Sequence, residues 1–162
     1  MKILFRAFKV AHCVLITASL LMFATQASAW VSKQFIPSNV SLITVIIEDQ
    51  ANDGCWTNIG EVKRYTEDKL ELAGFKVSRE KFESYEDEKH YLLAVTVTSS
   101  RNGPKCYGSI QLYIFKGSWV NNVGGLLYVG EQGGTFTQHD NANQLALSYV
   151  SKFMKEVEDP QW

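Results

Sequence analysis

The chain has 162 residues, 46% of them apolar, and sets 16 Lys and Arg against 17 Asp and Glu. A formal charge of −1 lacks the basic footprint that nucleic acids and anionic membrane surfaces select, and the length suits one domain with its own core. Beyond residue 29 no apolar run approaches the ~20 residues that a bilayer-spanning helix needs.

Lys2, Arg6 and Lys9 precede the apolar run VAHCVLITASLLMFA and the small residues Ala27, Ser28 and Ala29. This order predicts a secretory signal, residues 1–29, cleaved after Ala29, because the run is too short to span a membrane. Cys13 lies near the start of the run rather than after it, the wrong place for lipid attachment. Cleavage leaves a single domain, residues 30–162, with 13 basic and 17 acidic side chains and a net charge of −4. A soluble protein, periplasmic or secreted, with no membrane insertion of the mature chain is expected.

Residues 41–48, SLITVIIE, are apolar at both alternating positions and rich in β-branched side chains, as a strand covered on both faces should be. After the Asn52-Asp53-Gly54 turn, Asn58 and Glu61 stand at capping-box spacing. Ile59, Val62, Thr66, Leu70 and Ala73 then recur at helical intervals up to Gly74. A short strand over 75–79 can follow in parallel with the first. The acid-rich stretch EKFESYEDEKH, residues 80–90, reads as a solvated loop. Over 90–99, Tyr91, Leu93, Val95 and Val97 alternate with Leu92, Ala94, Thr96 and Thr98. After Asn102-Gly103-Pro104, Ile110, Leu112 and Ile114 alternate with Ser109, Gln111 and Tyr113. Such alternation predicts antiparallel strands with one face on the core. KGSWVNNVGG reads as a Gly- and Asn-rich link to a strand over 126–131 that resumes at 135–137. The last element is a helix capped by Asp140 or Asn141, with a stripe of Leu145, Ala146, Tyr149, Val150, Phe153 and Val157, ended by Asp159-Pro160. The expected fold is an α+β two-layer sandwich, a mixed sheet of about five strands with both helices on one face, in the order β-α-β-β-β-β-α. Ile43, Val45, Ile110, Leu112, Leu145, Tyr149 and Phe153 are its expected core.

Cys55 and Cys106 are the only cysteines left after cleavage. An even pair in an oxidising compartment predicts a disulfide, with Trp56 packed over it. A metal site would need further ligands at regular spacing, and only His90 and His139 remain, far apart in sequence. A nucleophilic cysteine would need a base nearby and a reducing environment.

The order of elements, carried by the apolar strand, the helix EVKRYTEDKLELAGFKV and the closing strands and helix, covers most of residues 30–162. It resembles small extracytoplasmic bacterial domains such as the amino-terminal domain of the translocation protein TolB and the curli-secretion lipoprotein. The resemblance implies an envelope adaptor that uses this fold for protein contacts, and it assigns no functional residue.

Gly130, Gly133 and Gly134 lack the spacing of a phosphate loop and predict a bulge or turn, and Gly117 and Ser118 lack the glycines of a nucleophile elbow. His139 beside Asp140 could serve as an oriented base only if a nucleophile met it in space, whereas Asp140 as a helix cap is sufficient reason for the pair. No catalytic, cofactor or metal residue is therefore expected. The expected function is a non-enzymatic protein-binding or envelope-adaptor domain whose partner is another protein of the cell envelope. Its contact surface is either the outward sheet face around Thr96, Thr98, Gln111 and Tyr113 or the acidic loop around Tyr85, Glu86 and Asp87. Two alternatives stay open: an inhibitor or immunity protein that blocks a cationic hydrolase with the acidic loop, and a small hydrolase whose site assembles only in three dimensions.

Overall fold

The computed structural model describes residues 30–82 and 87–159. Their elements run β1 Trp30–Val31, β2 Leu42–Ala51, α1 Ile59–Leu72, β3 Val77–Ser78, β4 His90–Asn102, β5 Lys105–Val120, β6 Val123–His139 and α2 Asn143–Glu158. The expected β-α-β-β-β-β-α order is present, preceded by the two-residue β1. The expected signal segment lies outside the described residues. None of the described helices is long and apolar enough to cross a membrane.

One mixed sheet has the order β1-β6-β5-β4-β2-β3. β2 runs parallel to both β3 and β4, while β4–β5, β5–β6 and β1–β6 are antiparallel. Alternation then sorts the side chains. Ile43, Val45, Leu93, Val95, Ile110, Leu112 and Ile114 point to one face and join Val62 and Leu70 of α1 and Ala146, Val150, Phe153 and Met154 of α2 in a single buried cluster. Both helices therefore lie on one face, as expected of two layers. Of the expected core, Leu145 and Tyr149 are only half-buried, because the centre of the α2 stripe falls on Ala146, Val150 and Phe153. Phe35, in the segment before β2, fills the end of the core with its ring 4.9 Å from Phe75 and 6.4 Å from Phe153.

α1 ends in a Schellman motif. Gly74 donates to the Glu71 carbonyl and Phe75 to that of Leu70, and Gly74 takes a φ of 90° that a side chain would resist. The helix starts differ from the expected caps. The Asn58 amide donates to the Glu61 carboxylate, and it is Asn143, at the start of α2, whose side-chain oxygen accepts from Thr57 N–H, 3.0 Å. Ala142 occupies the α2 cap position, with Asn141 Oδ1 accepting from Asn143 N–H, while Asp140 pairs with Lys105. The two helix starts thus bind each other, which no single-helix capping pattern encodes.

Cys55 and Cys106 form a disulfide, S–S 2.04 Å and Cα–Cα 5.8 Å, that joins the β2–α1 loop to the start of β5. Trp56 is buried in the same cluster as both cysteines and donates its indole N–H to Asn58 Oδ1. Beside it, the Arg101 guanidinium donates to the carbonyls of Asp53 (2.9 Å), Pro104 (3.1 Å), Gly54 (3.4 Å) and Asp140 (3.3 Å). One fork thus holds the β2–α1, β4–β5 and β6–α2 connections at one end of the sheet. Arg101→Ala should lower unfolding free energy by about 1–2 kcal/mol. Arg101→Lys should restore little of it, because one ammonium cannot reach four carbonyls in fork geometry. Urea denaturation of both variants checks this, and a Lys variant as stable as the parent would refute it.

Candidate functional site

The sheet face opposite the helices is the candidate surface. Its rows follow from the register: Thr44, Leu92 and Phe115; then Ile46, Ala94, Tyr113 and Glu131; then Glu48, Thr96, Gln111 and Gly133; then Gln50, Thr98, Ser109 and Thr135. Neither described helix covers these residues, yet the face is not uniformly wet. Leu92 and Ala94 are buried, and Thr96 is only 7% exposed, its hydroxyl donating to the Glu48 carboxylate at 2.8 Å. Both faces of β4 are therefore buried, where alternation alone predicts one. β4 lies in the middle of the sheet, paired along both edges by β2 and β5.

Thr98 is exposed and donates to Gln50 Oε1, 3.1 Å. Gln111 lies across Gly133, where a Cβ would meet its Oε1 at 1.9 Å, so glycine is what lets the amide lie flat there. Tyr113 sits in a three-ring cluster with Phe115 and Tyr128, its centroid 6.0 Å and 5.9 Å from theirs, and the remaining pair is 5.7 Å apart. The Tyr128 phenol donates to the Glu131 carboxylate. Burial, and then that hydrogen bond, push its pKa above the ordinary value, so it stays protonated at neutral pH. Of the four expected sheet-face residues, Thr98, Gln111 and Tyr113 reach solvent and Thr96 acts as a buried support for Glu48.

Beyond the rung Tyr91–Lys116 the sheet narrows to β5 and β6 alone, which pair on through Gly117–Leu126, Ser118–Gly125, Trp119–Gly124 and Val120–Val123. The expected KGSWVNNVGG link is therefore a hairpin arm. Asn121 and Asn122 turn it with φ of 50° and 63°, the doubly positive pattern of a type I′ turn. Likewise β6 is one strand of 17 residues rather than two pieces, with a bulge at Val129, between Tyr128 and Gly130. Gly130 adjoins that bulge, whereas Gly133 and Gly134 pair in regular register with Gln111 and Ile110 instead of forming the expected bulge or turn, and Gly134 leaves room for the Tyr149 hydroxyl of α2. Trp119, Val123, Leu126, Leu127 and Tyr128 on the arm are 39–71% exposed. An apolar surface thus runs from the aromatic cluster to the arm tip, where glycines and asparagines mask the strand pattern in the sequence.

The acidic loop divides. Tyr85 and Glu86 lie outside the described residues. The Asp87 carboxylate accepts from the Ser41 hydroxyl at 2.7 Å and Lys89 N–H at 2.8 Å, which hold its pKa below the ordinary value. His90 begins β4, as expected of a strand start, and shares a 2.8 Å hydrogen bond with the Thr44 hydroxyl. Burial lowers its pKa and nearby Asp87 opposes the shift.

His139 is exposed, edge-on to Phe136. Asp140, the group that would orient it, is bound by Lys105 at 2.6 Å, and that contact lowers its pKa. Among the described residues no three His, Cys, Asp or Glu side chains group as metal ligands. The shallow recesses at Lys155 and Asp159, at Ser118 and Leu126, and at Gln34 and Lys116 are lined by neither histidine nor cysteine.

No protein-family model and no curated protein matches the chain. Solved structures do. The PelC dodecamer from Paraburkholderia phytofirmans is 13% identical with a TM-score of 0.50, over 83% of this chain and 97% of that one. A single-substitution variant of the same dodecamer is 12% identical with a TM-score of 0.48 over the same shares. A hypothetical protein from Chlamydia trachomatis is 10% identical with a TM-score of 0.36, over 59% of this chain and 71% of that one. At such identities the PelC likeness is one of fold.

Proposed function

We propose that this protein is a non-enzymatic binding domain of the cell envelope that makes protein contacts through the open sheet face and the hairpin arm. The observation that carries this reading is the apolar surface that runs from the half-buried Tyr113 and Phe115 to the exposed Tyr128, Trp119 and Leu126, which the described helices leave uncovered. Isolated exposed apolar residues are common, but a contiguous patch rimmed by polar groups is characteristic of an interaction site. The disulfide supports an oxidising compartment, in keeping with the secretory signal read in the sequence. An inhibitor acting through the acidic loop has less in its favour, because the Asp87 carboxylate is already engaged by Ser41 and Lys89.

The PelC neighbour is a dodecamer, and self-association through the arm is the corresponding proposal for this chain. Photo-crosslinking in intact cells tests the reading. A benzophenone side chain at Gln111 or Tyr113 should trap a partner protein and one at Trp119 a second copy of the chain, whereas one at Lys69 on α1 should trap neither. Adducts arising as readily from Lys69, or none from the face, would overturn it.

A further inference from the structure

We propose that the open face recognises an arginine side chain of its protein partner, seated over the Tyr113, Phe115 and Tyr128 rings and against the Glu131 carboxylate. The inference rests on the binding-surface reading and names the chemistry of the partner. Its basis is charge and ring geometry together. The open-face positions of β2, β4, β5 and β6 carry two exposed carboxylates, Glu48 and Glu131, and one lysine, Lys105, at the far end of β5, eight residues from Tyr113 and paired with Asp140 at 2.6 Å. Lys116, the lysine nearest the ring cluster on β5, takes the alternate position, on the helix side of the strand. His90, also on this face, is half-buried with a lowered pKa, so the part of the face around Tyr113 and Glu131 is negative at neutral pH.

An exposed carboxylate on its own attracts a cation weakly. Here Glu131 stands opposite Tyr113 in the register and accepts the Tyr128 hydroxyl, so the charge adjoins the ring cluster. Ring faces carry negative quadrupole density, and a cation within about 6 Å of a centroid is attracted to them. A guanidinium can use both features at once: it stacks flat on an aromatic face while its N–H fork bonds a carboxylate, which a compact, strongly hydrated ammonium does less well. An anionic partner would meet two like charges, and a purely apolar one would have to desolvate Glu131 without a partner for it. The placement of Glu48 follows from the same register. Three strand spacings across and two residues along separate it from Glu131, roughly 16 Å, at the far side of the face.

Titration of the isotope-labelled protein with a hexa-arginine peptide, followed by amide chemical shifts, tests this. Saturable changes should centre on Ala94, Tyr113, Phe115, Tyr128 and Glu131, with hexalysine and spermine binding more weakly. Glu131→Gln and Tyr113→Ala should each weaken hexa-arginine about three- to five-fold, whereas Tyr113→Phe, which keeps the ring, should bind as the parent does. Thermal melts establish that each variant is folded. Shifts spread over the α1 acids Glu61, Asp68 and Glu71, equal binding of spermine, or unchanged affinity in both weakening variants would overturn the inference. The crosslinking readout keeps the two readings apart. Adducts at Gln111 that persist undiminished in a Glu48→Gln, Glu131→Gln double variant would leave the binding surface standing and remove arginine as its ligand.

Discussion

Phe153→Ala should cost about 3–5 kcal/mol of unfolding free energy, the range for emptying a fully enclosed aromatic site. Phe153 is completely buried on the inner face of α2, between Val150 and Met154 of its own helix and the Phe35 ring at 6.4 Å. Two features keep the vacated space from closing. The sheet side of the same buried cluster includes Leu93, Leu112 and Ile114, whose positions are set by ladder pairing on both sides of β4 and β5. Phe35 in turn is held by its stack on Phe75 and its contact with Tyr91 at 5.6 Å. Urea denaturation should show a lower midpoint with an unchanged slope, since the surface exposed on unfolding is the same. A loss under about 1 kcal/mol would mean that α2 does not dock as described.

Replacing Cys55 and Cys106 together by Ala should lower stability by about 4 kcal/mol, the chain-entropy figure for bridging cysteines 51 positions apart. That is a large fraction of the ~5–15 kcal/mol typical of a domain. Both cysteines are fully buried, so alanine leaves no polar group unsatisfied in their place. Part of the end structure should survive, because Arg101 still spans the three connections and Ala142 N–H still donates to the Cys55 carbonyl at 2.7 Å. Denaturant midpoints of the double variant measure the effect, and a loss below about 1 kcal/mol would show that the bridge restrains little. Thiol titration of the denatured, unreduced protein is the direct companion. It should find none from this pair, and two would exclude the bridge.

Much of the fold is legible along the chain because its signals are local. A 3.6-residue stripe marks each helix, Gly74 marks the end of α1, and two-residue alternation marks β5 and the helix-facing half of β4. Parity of cysteines after a signal-like start points to the Cys55–Cys106 bridge without reference to distance. The candidate surface is legible only in part. Gln111 and Tyr113 are outward by alternation, but that Phe115, Tyr128 and Glu131 join them depends on the β5–β6 register and its shift at Val129, which no local pattern encodes.

What the sequence by itself determined is the two helices, the main strands, their order, and the inward side of the helices, β4 and β5, since these depend on side-chain spacing within a few turns or rungs. Tertiary structure alone decided that β2 lies beside β4 in parallel and that both faces of β4 are buried. It also decided that Phe35 closes the core, that Asn143 binds the start of α1, and that β5 and β6 outrun the sheet as an apolar arm. Each of these is a contact between residues distant in the chain. Local propensity is indifferent to which distant residue a group meets, and only the shared burial of apolar surface and the pairing of backbone polar groups across the whole domain select one arrangement.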